Sequence, residues 1–317
     1  MFSSSVSRFQ GLQFNVIWVL VTFLIALTIR IYHVDMISVQ DMSDQFSILG
    51  LEYRFPCQWF IGLNIVLGSL TSSIIYLIAL AIYSRRWYGI VAALVLAFQP
   101  WHIYYSLNSR IETILGFLIA VSTLFLLKKR MNLFALISGI TALISSITWI
   151  ILLLESSVLF REHKSRKISL MISPSGIIGV LLIYSQLNEN YPSVQLLCID
   201  NIFSLNNLLF YFNSLFLMTF SLFYLGFIFA ILKNKSSRLI SIIVFLYVII
   251  ISIFNSLLGW QDISQLIIII PLISLMIAAV MPRFNGNNLR KVLVFIALFF
   301  IIVIPFLSQI SFIYSIL

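Results

Sequence analysis

"WFIGLNIVLGSLTSSIIYLIALAIY", residues 59–83, is an apolar stretch without a single charged side chain. A helix of this length crosses the hydrocarbon core of a bilayer, which needs about 20 apolar residues. Similar stretches recur at 14–31, 88–106, 111–127, 168–186, 206–232, 239–258, 264–281 and 292–313. The chain is 61% hydrophobic and 9% charged, whereas a soluble domain of 317 residues needs a far more polar surface. The sequence therefore predicts an all-α, polytopic transmembrane helical bundle.

The bundle is expected to form a single domain over residues 1–317, because no long polar stretch separates the apolar ones. The first apolar stretch, near 14–29, is long enough to cross the membrane and has no small-residue cleavage site behind it. We expect it to stay in place as a signal anchor.

Residues 131–160 are ambiguous, because they can form one span or two short helices. As one span they would put the basic clusters at 128–130 and 161–167 on opposite sides of the membrane. A pair of short helices that turns at Ser145–Thr148 removes this conflict. The prediction is then about 11 membrane segments, including this short helix pair.

The distribution of charge predicts the orientation. With the short helix pair, all basic residues except Arg30, Arg54 and Arg110 lie on one side, which the positive-inside rule makes cytoplasmic. All acidic residues except Glu155 and Glu162 then face the outside. The N-terminus is expected in the cytoplasm and the C-terminus outside.

The first external loop is predicted to carry an amphipathic helix. Apolar residues recur on one helical face there, namely Val39, Met42, Phe46 and Leu49. Asp41 and Asp44 fall on the opposite side, facing solvent or a cavity at the membrane surface. The simpler alternative is a solvated polar face without a function.

The second external loop follows Pro100, which can kink the preceding span. It holds His102, Arg110 and Glu112. Simple anchoring at the interface explains the neighbouring aromatic residues equally well. His102 fits either a hydrogen-bonded interfacial residue or a ligand.

Metal and nucleic-acid sites have little support in the sequence. The histidines and cysteines show no zinc-ligand spacing. Cys57 and Cys198 both fall in predicted external loops, where a disulfide and two free thiols are both open. The net charge of +9 comes from short clusters at helix ends, so no nucleic-acid partner is expected.

Four segments together resemble the GT-C superfamily of membrane glycosyltransferases, most closely the protein-mannosyltransferase and aminoarabinose-transferase branch. They are "RIYHVDMISVQDMSDQ" (30–45), "YGIVAALVLAFQPWHIYYSLNSRIET" (88–113), "ALISGITALISSITWIILLL" (135–154) and "QDISQLIIIIPLISLMIAA" (261–279). In that family an arginine near the end of the first span precedes an acidic pair that opens an external helix. The family's acidic pair is usually adjacent, whereas Met42 and Ser43 separate Asp41 from Asp44 here.

The resemblance implies transfer of a sugar from a polyprenyl-phosphate donor to a protein, lipid or glycan acceptor at the outer face of the membrane. It gives Asp41 the role of the base that takes the acceptor's proton. Asp44 would hold a divalent metal or orient the acceptor. No cofactor is certain, and a divalent metal stays open.

The leaving phosphate of such a donor needs positive charge beside it. Arg110 is the best candidate because a guanidinium matches phosphate oxygens. Arg54 and Arg30 are further candidates, with His102 beside them in the donor site. Glu112 would fix Arg110 or share the acid–base role.

Other functions stay open on sequence alone. A transporter or flippase places ionisable residues near mid-membrane, often with internal repeats, and the sequence shows no charged residue deep in a span and no obvious repeat. A polymerase of lipid-linked glycans shares the external polar site, and a non-catalytic membrane subunit needs none of it. We expect an integral membrane protein in the plasma membrane of a prokaryote. Membrane lipid would surround it there.

Overall fold

The computed structural model is helical apart from one short hairpin, over the residues that it describes. These residues are 3–34, 46–48, 51–53, 57–108, 111–145, 148, 209–210, 214, 222–233, 235–258 and 264–280. The helices are α1 (Ser3–His33), α2 (Cys57–Tyr83), α3 (Arg86–Phe98), α4 (Pro100–Leu107), α5 (Glu112–Leu127), α6 (Met131–Ile144), α7 (Leu222–Lys233), α8 (Lys235–Leu258), α9 (Ser264–Ile267) and α10 (Ile270–Ala278). The hairpin pairs β1 (Phe46–Ile48) with β2 (Leu51–Tyr53).

Three helices are long and apolar enough to cross a membrane, at Asn15–His33, Trp59–Tyr83 and Lys235–Ile253. The bent pair of α3 and α4 gives a fourth candidate in the described part of the chain. The apolar spans therefore indicate a membrane protein, as the sequence predicts. The predicted spans at 168–186 and 292–313 lie outside the described residues.

Two predicted spans are broken helices. The helix axis turns by 57° between α3 and α4, where Gln99 is extended and Pro100 starts α4. This confirms the predicted kink. The predicted span 264–281 is also interrupted, because a turn at Ile268 and Ile269 separates α9 from α10. Pro271 lies in the first turn of α10, where its missing N–H leaves no hydrogen bond unmade.

Helix α10 forms the centre of the described bundle. All of its residues are buried, and it packs against α2, α3, α5, α7 and α8. A helix that is apolar on every side belongs inside a protein, and "IPLISLMIA" fits that rule. Gly226 lets α7 approach closely, since a Cβ at this position would lie 2.8 Å from the backbone of Met276.

The helices define two ends of the bundle. At the hairpin end, α1 and α4 finish while α2 and α5 begin, and the segment with the β1–β2 hairpin connects α1 to α2. At the basic end lie the α2–α3, α5–α6 and α7–α8 turns. Described cations gather there, namely Arg85, Arg86, Lys128, Lys129, Arg130, Lys233 and Lys235. The side chain of Lys233 donates to the Ala279 carbonyl at 2.7 Å, which ties α7 to the end of α10.

The predicted amphipathic helix of the first loop is wrong over Phe46–Ile48, which form a strand. The register pairs Phe46 with Tyr53 and Ser47 with Glu52. The residues alternate between apolar and polar in both strands, and this two-residue period favours a strand. The remainder of the predicted helix, with Asp41 and Asp44, lies outside the described residues.

Helix α6 ends where the sequence predicts a polar break. Ser145 adopts an extended backbone directly after Ile144. The hydroxyl of Thr148 donates to the carbonyls of Ser145 at 2.6 Å and Thr141 at 3.2 Å. The second helix of the predicted short pair lies outside the described residues.

Candidate functional site

Arg30, at the outer end of the predicted span 14–31, was counted with the first external loop, and this placement is wrong. Helix α1 continues through it to His33, and Arg30 is 0% exposed. Thr22 and Ala26, which precede it at four-residue intervals, are also buried. Residues four apart share one helix face, so Arg30 continues the face that α1 packs against the other helices.

The guanidinium of Arg30 links α1 to α4. Its Nε donates to Ser106 Oγ at 2.9 Å, and its NH2 group lies 2.6 Å from His102 Nδ1. The NH1 group donates to the Ala26 carbonyl at 2.9 Å within α1. All three acceptors are neutral, although a buried cation is costly unless an opposite charge accompanies it.

The bond to Arg30 decides the proton position on His102. Arginine can only donate, so Nδ1 accepts and the ring proton lies on Nε2. His102 is therefore neutral in this arrangement. Its Nε2 is buried and has no hydrogen-bond partner among the described residues. His102 was expected in the second external loop, and this placement is wrong, because it is buried within α4.

Helix α2 contributes a glycine and an asparagine beside these contacts. A Cβ at Gly68 would lie 3.0 Å from Arg30 Nε and 2.9 Å from Ser106 Cβ. One turn away, Asn64 Nδ2 donates to the Asn108 carbonyl at 2.8 Å. This bond satisfies the backbone at the end of α4.

The first turn of α5 completes the site. Glu112, which was expected in the second external loop, starts this helix, and Thr113 follows. The Thr113 methyl would lie 3.4 Å from a Cβ at Gly68, so it faces the same point as Arg30. Thr113 Oγ1 is buried and has no partner among the described residues. We call Arg30, Asn64, His102, Ser106 and Thr113 the Arg30 cluster.

The structure brings together two of the predicted donor-site residues, Arg30 and His102. Glu112 lies at the same end of the bundle. The other predicted site residues lie outside the described residues, namely Asp41, Asp44, Arg54 and Arg110. Their predicted convergence on one outward cavity therefore stays a prediction.

Sequence reasoning missed Ser106, Asn64 and Gly68. A signal existed in each case. Ser106 follows His102 by four residues and so shares its helix face, and Gly68 follows Asn64 by the same spacing. Polar and small residues at this interval on apolar spans are typical of close helix contacts in membranes.

The contacts of the Arg30 cluster are suited to holding helices together rather than to binding a ligand. The guanidinium is enclosed, so a phosphate could touch it only if the α1–α4 contact opened. Among the described ranges, no group of three or more His, Cys, Asp or Glu side chains could hold a metal ion. The predicted metal ligand Asp44 lies outside those ranges.

Comparison of the chain with protein-family models, with curated proteins and with solved structures finds no match. Inference about function therefore depends on the residues and on their placement at the hairpin end.

Proposed function

We propose that the chain is a membrane glycosyltransferase of the GT-C type, which moves a sugar from a polyprenyl-phosphate donor to an acceptor. The observation that carries the proposal is the placement of polar side chains in an apolar bundle. Arg30, Asn64, His102, Ser106 and Glu112 all lie at the hairpin end. The first loop, with Asp41 and Asp44 among its four acidic residues, leaves α1 at the same end.

The proposed topology has about 11 membrane segments, with the N-terminus in the cytoplasm. The hairpin end would face outward from the plasma membrane of a prokaryote. The cations at the basic end support this orientation, because Lys and Arg favour the cytoplasmic side. The second short helix after Ser145 belongs to this proposal too.

The reaction is a direct displacement at the anomeric carbon. A hydroxyl oxygen of the acceptor forms the new bond to that carbon, and the bond to the phosphate oxygen breaks. Asp41 takes the hydroxyl proton, and polyprenyl phosphate leaves with the electron pair. Asp44 orients the acceptor or holds a divalent metal that does so.

Arg110 is the proposed partner of the leaving phosphate. It lies by sequence between α4 and α5, two residues before Glu112. Arg54, near the end of the first loop, is the second choice. Arg30 and His102 stay in the donor site as supports, since their contacts are already made inside the protein.

A transporter is a second candidate, and one observation favours it. Arg30 is a cation that is fully buried within the candidate span Asn15–His33. Transporters use such residues together with broken helices like the α3–α4 pair. Arg30 is only one turn from the end of α1, whereas transporter sites lie near the membrane midplane.

Purified protein in liposomes with a panel of polyprenyl-phosphate sugars tests the proposal. Mass spectrometry follows loss of sugar from each lipid with an acceptor extract present. We expect one donor to be cleaved by the wild type, and Asp41→Asn to slow its cleavage at least about 100-fold, as for loss of a general base.

Asp35→Asn is the matched control, since it removes an acid of the same loop that has no proposed role. It should cleave the donor at close to the wild-type rate. Intact donor that crosses the bilayer would replace the proposal with a transporter. Intact donor without crossing would leave a non-catalytic subunit, and chain extension of the lipid-linked glycan would identify a polymerase.

A further inference from the structure

Helix α4 is too short to hold its position by itself. It spans Pro100–Leu107 and is separated from α3 by a 57° bend. Isolated helices shorter than about 12–15 residues are marginal. Its own support is small: Pro100 lies in its first turn, and the Gln99 side chain accepts from the His102 backbone N–H at 3.1 Å. Its orientation must therefore come from contacts with other helices.

One guanidinium supplies two of those contacts. Arg30 bonds both His102 and Ser106, which lie one turn apart on the same face of α4. Its third nitrogen is bonded to the Ala26 carbonyl, so the side chain cannot swing away from α1 freely. The planar fork of arginine suits this triple contact, whereas a lysine ammonium is a single point.

A second contact holds the end of α4. Asn64 on α2 donates to the carbonyl of Asn108, the residue that follows the helix. Helix α5 begins four residues later with Glu112. Arg110 lies by sequence in this short connection, so any tilt of α4 displaces the segment that carries it.

We propose that Arg30 is a positioning residue, which fixes α4 and thereby the connection to α5 for the transfer reaction. This inference rests on the proposed function for its catalytic consequence. It gives the buried arginine a task different from direct phosphate binding. The neutral acceptors around the guanidinium agree with it, because they are contacts between helices rather than a vacant anion site.

Backbone hydrogen exchange of α4 tests the inference without any assay of activity. Arg30→Met should speed exchange of the α4 amides by at least about tenfold, since each lost hydrogen bond contributes roughly 1 kcal/mol. Ser106→Ala removes one acceptor and should give a smaller rise. It keeps the test valid if Arg30→Met does not fold. Arg86→Met is the matched control, because Arg86 is exposed at the basic end.

Arg30→Lys and steady-state kinetics separate positioning from phosphate binding. A positioning role predicts that Lys fails to restore slow α4 exchange, and that kcat falls up to about 100-fold as the site is misplaced. A phosphate ligand predicts a raised KM for the donor, rescue by Lys and unchanged α4 exchange. The last result, or unchanged exchange in both Arg30→Met and Ser106→Ala, overturns the inference. Absence of donor cleavage by the wild type would refute the proposed function alone, because the exchange result would still decide how α4 is held.

Discussion

Three neighbours exclude a side chain at position 68. A Cβ there would lie 2.9 Å from Ser106 Cβ, 3.0 Å from Arg30 Nε and 3.4 Å from Thr113 Cγ2. Gly68→Ala should therefore lower stability by about 1–3 kcal/mol, the usual cost of overpacking, even though alanine favours the helix. Thermal unfolding in detergent, followed by tryptophan fluorescence, measures the change.

Gly62 provides the control on the same helix. It is exposed, and nothing lies within 4 Å of a Cβ at this position. Gly62→Ala should leave the unfolding temperature unchanged or raise it slightly, because alanine gains up to about 1 kcal/mol in a helix. Equal unfolding temperatures for the two variants would mean that α2 does not pack so closely against Arg30.

Glu112 and Arg30 also show how far the sequence alone predicts the site. The apolar stretch 111–127 locates the start of α5 to within one residue, since Glu112 begins this helix. Arg30 was counted with the first external loop because it stands at the outer end of the apolar stretch 14–31. Its actual partners are 72 and 76 residues away along the chain, at His102 and Ser106. The pattern of apolar and charged residues within one stretch cannot show a contact between residues so far apart in the chain.

At the scale of elements, the contact of α7 with α10 depends on one lysine. Lys233 Nζ donates to the Ala279 carbonyl at 2.7 Å and lies 4.0 Å from the centre of the Tyr88 ring. A cation is favourable at the carbonyl end of a helix and over an aromatic face. Lys233→Met should therefore reduce stability by about 1–2 kcal/mol in the same unfolding experiment.

Lys128→Met is the matched control, because it removes the same charge from an exposed position at the same end of the bundle. It should change the unfolding temperature little, as expected for a surface charge. If the two lysine variants unfolded at the same temperature, the bond from Lys233 to Ala279 would add no more stability than a hydrogen bond to water.

Helix ends were easier to predict from sequence than the form of the loop between them. Apolar length gave α2 and α5 close to their observed bounds, and Pro100 marked the α3–α4 bend. The sequence at Phe46–Ile48 fits two patterns, namely a helical spacing of apolar residues and the two-residue alternation of a strand. Pairing with Leu51–Tyr53 decided in favour of the strand. That partner lies outside the window in which the helical spacing was read.

In the whole molecule the two ends differ in charge, whereas both carry exposed aromatic side chains. Trp59 and Tyr32 are 81% and 71% exposed at the hairpin end, and Trp87 is 54% exposed at the basic end. Tryptophan and tyrosine favour both membrane interfaces. Their positions near opposite ends of α2 therefore match a span that runs from one interface to the other, which agrees with the proposed topology.

The topology predicts opposite sides for Val34 and Lys129. Val34 follows α1, and Lys129 comes after α2, the bent α3–α4 pair and α5, so three crossings separate them. Single cysteines at these positions, with Cys57→Ser and Cys198→Ser in the background, can be labelled in cells by a membrane-impermeant maleimide. Val34→Cys should react in intact cells, because the hairpin end faces outward. Lys129→Cys should react only after permeabilisation, because positive charge keeps the basic end inside.

The reverse pattern would invert the proposed orientation and move the first loop to the cytoplasm. Labelling of both from outside would show that either the bent pair or α5 does not cross the membrane.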